Sequence, residues 1–269
     1  MSEISISATD NPLLHSKEKL IKLYGIDLFA AASSSAMVAP FIAIVDRSII
    51  ENLNGKRPLK EGLRYGFKSF ISQPLNFVTS AQFRLVLGLY FSTYTTANII
   101  ETTCEQYSVD PSQSAMYKFM STSAVNMLLC IYKDRVFAKM FGVSSTNKAL
   151  PKLSYFLFAA RDALTIAASF NAPSYVAERL QNNSIISNPK TASVVSQLAC
   201  PAAAQFISTP VHLYALDIYN RPLATTSMRG ILLRKEYFKS ALARIGRIGP
   251  AFGIGGVGNS FVRNYRNKI

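Results

Sequence analysis

The chain has 269 residues, of which 49% are hydrophobic and 16% charged, yet its formal charge is +14. Its mean hydropathy of +0.17 is too apolar for an average soluble domain. Its Lys and Arg fall between apolar runs instead of gathering on one aromatic-lined patch, so the expected partner is a lipid bilayer and no nucleic acid.

The segment 1–12 is Ser-rich, with neither an apolar signal core nor an arginine-rich amphipathic pattern, so no cleavable presequence is expected. A first span is predicted at about 25–45, where Gly25, Ala30, Ala31, Ala32, Ser33, Ser34, Ser35, Ala36 and Ala39 give a small-residue surface suited to close helix packing. Further spans are predicted at about 74–100, 114–132, 153–177, 191–216 and 241–262. Each contains or adjoins charge. Between the first two, residues 59–70 place Leu59, Leu63, Phe67 and Phe70 on one face and Lys60, Glu61, Arg64 and Lys68 on the other. That pattern fits a helix lying on the membrane surface and an ordinary amphipathic connector equally well.

Asp46, Asp134 and Asp217 each close an apolar run, 88 and 83 residues apart, and each interval holds a second run. The expected fold is therefore an all-α membrane protein, six transmembrane helices in three pseudo-symmetric helix-pair repeats. The divisions are a polar tail at 1–21 and repeats at 22–105, 106–185 and 186–269. The connections after the odd spans are basic: Arg47, Lys56, Arg57, Lys60, Arg64 and Lys68; then Lys133, Arg135, Lys139, Lys148 and Lys152; then Arg221, Arg229, Arg234, Lys235 and Lys239. They should share one side of the membrane, with both termini on the other. Lys17, Lys19, Lys22, Arg263, Arg266 and Lys268 put positive charge on that second side as well.

Cys104, Cys130 and Cys200 stand apart, and His15 and His212 are too few for a metal cluster. No cofactor, metal or enzymatic chemistry is expected, since no nucleophile–base set or phosphate-cradling loop occurs.

Three motifs remain. The run from Glu61 and Gly62 through Gly66, Phe67 and Lys68 to Ser69 resembles the second signature of the mitochondrial carrier family, with Ser69 in place of its final glycine. Phe238, Lys239 and Ser240, followed by Arg244, Arg247 and Pro250, are similar to the same family's third-repeat pattern. Arg161 and Asp162 resemble its fourth-helix Arg-Asp pair. The resemblance covers about 22–264. It implies an alternating-access transporter of the mitochondrial inner membrane, with substrate contacts from the even helices.

The departures concern the gate. Where that family carries Pro, acid and base at the end of each odd helix, Pro40 is followed by Ile42 and Val45, and Pro210 by His212 and Ala215; the third helix has no proline. In their place Asp46 with Arg47, Asp134 with Arg135, and Asp217 with Arg221 set an acid beside a base. An acid at a helix C-terminus needs a compensating cation. These pairs read either as a displaced gate ring or as interfacial charges.

The charges in the even spans narrow the site. An unpaired charge there costs roughly 2.5 to 3.5 kcal/mol, so it should face a wet interior or a partner. The candidate substrate-binding residues are Arg161, Asp162, Arg244 and Arg247, with Arg84 and Asn76 as alternatives for the second helix. Convergent arginines favour a small anionic metabolite. The alternative reading is that Arg161 and Asp162 neutralise each other and meet no substrate. Two functions therefore stand: a solute transporter, or a non-transporting membrane scaffold, morphology or insertion factor, the latter fitting an outer membrane.

Overall fold

A computed structural model describes residues 12–141, 151–170 and 172–268. Among the described residues every regular element is a helix. Lys148, expected in the second basic connection, lies outside them.

The first helix, α1 (Pro12–Leu53), runs 42 residues, about 63 Å at 1.5 Å per residue. Gly55 ends it: at φ +68° its N–H reaches the Asn52 carbonyl at 3.1 Å and Lys56 N–H reaches that of Glu51 at 2.9 Å, closing the helix with a left-handed cap. A connector follows as α2 (Leu59–Ser72) and α3 (Pro74–Val78). Ser80 then caps α4 (Ala81–Gln106) by accepting from Phe83 N–H at 3.3 Å. The expected second span is thus broken at 79–80 instead of running through.

Next come α5 (Pro111–Phe141), α6 (Lys152–Phe170), α7 (Ala172–Asn182), α8 (Pro189–Asn220) and α9 (Thr226–Gly246). The expected sixth span is not one helix. After α9 the chain winds as a π-helix over Gly249–Gly256, then continues as α10 (Val257–Arg263) and a 3₁₀ turn. Pro250 and four glycines relax the helical ladder there, and the Tyr94 hydroxyl donates to the Ala251 carbonyl at 3.0 Å. Such π segments concentrate at functional sites.

The core is built around α1, whose Ala30, Ala31, Val38, Ala39, Ile42 and Ala43 are buried. Its small side chains let neighbours come close: a Cβ on Gly255 of the π-helix would lie 2.6 Å from Val38 Cγ2. The connector α2 uses the same device from its own side. Gly62 and Gly66 face α1, and a Cβ on Gly66 would sit 2.6 Å from Ile44 Cγ2. Leu59, Leu63 and Phe70 pack on the core while Tyr65 and Phe67 stay exposed, so α2 is a packed connector.

At one end of the bundle Asn54 donates to the Phe141 carbonyl at 3.0 Å and Asn52 to Glu236, joining the ends of α1 and α5 to α9. At the other, Tyr24 meets Thr103 at 2.7 Å and Arg263 meets Asp27 at 2.9 Å, joining α1, α4 and α10. Among the described residues two stretches qualify as membrane crossings by length and apolarity, Glu18–Leu53 and Lys152–Asn182. Helices α4, α5 and α8, at 26, 31 and 32 residues, exceed the roughly 20 a bilayer requires but do not qualify by apolarity.

Candidate functional site

Residues on one face of α5 recur at helical spacing along an internal cavity of about 520 Å³: Lys118, Phe119, Thr122, Ser123, Asn126, Cys130 and Lys133. From Lys118 to Lys133 that face climbs roughly 22 Å. Opposite walls come from Leu89, Tyr90, Thr93 and Tyr94 of α4 and from Arg161, Asp162, Thr165 and Ile166 of α6. Gln205 of α8, Arg244 of α9 and Arg247 beyond it complete the lining. One end is exposed and the other sealed. The Lys118 side chain is 39% exposed, that of Lys133 3%.

An alternating chain of ion pairs forms the sealed floor. Arg247 grips Asp46 Oδ1, and Asp46 Oδ2 accepts from Lys133. Lys133 Nζ also reaches Asp134 Oδ1 at 2.8 Å. Arg161 then spans Asp134 at 2.7 Å and Asp162 at 2.7 Å. Six charges thus tie α1, α5, α6 and the end of α9 together. Arg161 Nη1 also donates to His212 Nδ1 at 2.9 Å; a guanidinium has no acceptor, so the proton of this imidazole resides on Nε2.

Arg244 differs. It is buried, yet among the described residues it donates only to neutral groups, Gln205 Oε1 at 3.1 Å and Ser208 Oγ at 3.5 Å. Asp162 is its complement: Oδ1 is held by Arg161, while Oδ2 is buried without a hydrogen-bond partner among the described residues.

The mouth carries a second network. Glu101 accepts from Lys118 at 2.9 Å and from Arg263 at 2.5 Å, Arg263 also holds Asp27, and Arg266 holds Glu105. Burial pushes the Glu101 carboxyl up, but the hydrogen bonds from Lys118 and Arg263 outweigh it and leave the group below its ordinary 4.5.

Residues 30–266 match the family described as "Probable citrulline exporter". The chain belongs to that family. No curated protein and no solved structure matches it. Membership in a citrulline exporter family makes it a membrane protein of a small-solute transport class. The resemblance to the mitochondrial carrier family is overturned, because the match falls to a different family and none falls to the carriers. Physically, the Gly62 and Gly66 spacing of the first motif serves the approach of α2 to α1, a need any tightly packed connector shares. The argument for a mitochondrial membrane goes with the resemblance.

Of the residues singled out from sequence, Arg161, Asp162, Arg244 and Arg247 line the cavity of this exporter family member. Arg84 is exposed on the first turn of α4, and Asn76, on α3, is exposed and bonded to Gln73 at 3.4 Å; neither lines it. Asp46 and Asp134 meet through Lys133. Their sequence neighbours do not join them: Arg47 pairs with Glu51 at 2.8 Å and Arg135 forms no ion pair among the described residues. Asp217 stands apart, held by Arg221 at 2.6 Å and Arg229 at 2.7 Å in the α8–α9 connection. Lys133, read from sequence as a loop cation, is instead the buried bridge between two of the aspartates. His212 and Gln205 were missed because a single polar residue in an apolar helix shows no partner in sequence.

Proposed function

We propose that this chain exports citrulline by alternating access. The observation that carries the reading is the cavity itself: exposed beside Lys118, walled by α4, α5 and α6 over roughly 22 Å, and closed at its far end by a chain of ion pairs that share their partners. Its volume lies within the roughly 300 to 1,000 Å³ of small-molecule sites. A scaffold has no use for such a cavity, and the family match supports transport.

In this reading six helical passes cross the bilayer as three repeated pairs: α1 with α4, α5 with α6 and α7, and α8 with the π segment and α10. The repeat has local support. Asp110-Pro111 and Asn188-Pro189 open α5 and α8, and the same Asx-Pro step recurs in the sequence at 11–12. Asp110 and Asn188 both cap their helices, accepting from Ser112 N–H and Lys190 N–H at 2.9 Å each. Ser108 and Ser184, at φ 51° and 55°, end the preceding helices alike.

The test is release of labelled citrulline from liposomes containing the purified chain. Release well above that of empty liposomes is expected. Folded protein that releases none overturns the proposal.

A further inference from the structure

Resting on the export reading, we infer that the cavity is a zwitterion site in which Arg244 takes the α-carboxylate of the solute and Asp162 Oδ2 its α-ammonium, while the wall beyond them refuses a cationic side chain.

The assignment begins with what the ion pairs leave over. Lys133, Arg161 and Arg247 each hold a carboxylate. Arg244 is 3% exposed and has no carboxylate within ion-pair distance among the described residues. A buried guanidinium is costly without a counter-anion, and its planar fork matches a carboxylate. The unpartnered Oδ2 of Asp162, a residue 6% exposed, is the matching acceptor for an ammonium. A plain anion satisfies Arg244 and is repelled by Asp162. An α-amino acid satisfies both.

The same inventory sets the side-chain preference. Of the described residues lining the cavity, Asp162 is the one carboxylate. Asn126, seven residues and roughly 10 Å up α5 from Lys133, is neutral and lies 3.5 Å from Thr93 Oγ1. A ureido group finds an amide and a hydroxyl there. A second ammonium finds no acid on the wall and meets Lys118 toward the exit. Citrulline fits, whereas ornithine and arginine do not.

The test measures ligand-induced thermal shifts on the intact detergent-purified chain, using citrulline, citrullinamide without the carboxylate, N-acetylcitrulline without the ammonium, and ornithine. Each analogue is expected to bind at least about tenfold more weakly than citrulline. Arg244→Gln should erase the preference for citrulline over citrullinamide, and Arg244→Lys should retain part of it. Asp162→Asn should erase the preference over N-acetylcitrulline. Asn126→Asp, which leaves the floor intact, should bring ornithine up to citrulline or beyond. Equal binding of the analogues by the wild type, no citrulline binding, or no gain of ornithine in Asn126→Asp overturns the inference. If the pattern holds but liposomes release no citrulline, the export reading fails and the site stands.

Discussion

Two ion-pair networks stand at the two ends of the same cavity, and they differ mainly in exposure. At the floor, side-chain exposures are 3% for Lys133, Asp134 and Arg161 and rise to 21% at Arg247. At the mouth, Lys118, Glu101 and Glu105 are 39%, 31% and 51% exposed, while the Arg263–Asp27 pair, at 12% and 1%, is enclosed. The chemistry is the same, but the consequences are opposite. A buried pair adds little net stability against its desolvation, yet removing one partner strands a charge and costs about 3 to 5 kcal/mol. An exposed pair trades with water and contributes roughly 0 to 1 kcal/mol. On the proposed export reading, the floor shifts by exchanging partners, while the exposed pairs of the mouth separate at little cost.

The largest effect that would break this contrast is at Asp134. Asp134→Asn leaves Lys133 with Asp46 alone and Arg161 with Asp162 alone. The expected loss is about 3 to 5 kcal/mol, on the order of 10 °C in melting temperature. Thermal unfolding in detergent measures it. A change of a degree or less would show the floor to be as dispensable as the mouth.

A smaller effect sharpens the other side. Because the folded Glu101 carboxyl lies below its ordinary 4.5, its contribution is fully present above that value and is lost as pH falls through the folded value. Glu101→Gln should melt slightly below the wild type at pH 7, and the gap should shrink below about pH 4.5. A gap that widens on acidification would reverse the sign and remove the mouth pair from the account.

The contrast also explains what could be read without coordinates. Helical class and the clustering of Arg161, Asp162, Arg244 and Arg247 around a wet interior were legible, because charge in an apolar run must find water or a partner. The identity of the partners was not. Lys133 adjoins Asp134 in sequence, and only the fold shows it reaching Asp46 of α1 as well. Asp46 takes Arg247, 201 positions away, over the adjacent Arg47. The three aspartates looked equivalent by period, yet Asp217 turns to Arg229. One signal was available and overlooked: the Asx-Pro steps at 110–111 and 188–189 mark the starts of α5 and α8 more directly than the aspartates mark helix ends. The breaks at 79–80 and in the π segment were hidden by hydropathy, which averages over them.

The smallest effect is expected at Arg84, and it isolates location from charge. Arg84 and Arg161 are both guanidiniums in segments of spanning length, and hydropathy treats them alike. Arg161 is buried among two carboxylates and an imidazole, whereas Arg84 is exposed at the start of α4, where a long side chain extends its head to water. Arg84→Ala should change stability by less than about 0.5 kcal/mol. Citrulline release should remain within about twofold of wild type, the same free-energy margin. Arg161→Ala should abolish release, because it cuts the floor between Asp134 and Asp162. If Arg84→Ala also stops release while the protein stays folded, the second helix contributes a contact from outside the cavity. The route of the solute would then pass along the face of α4 and not down the wall of α5.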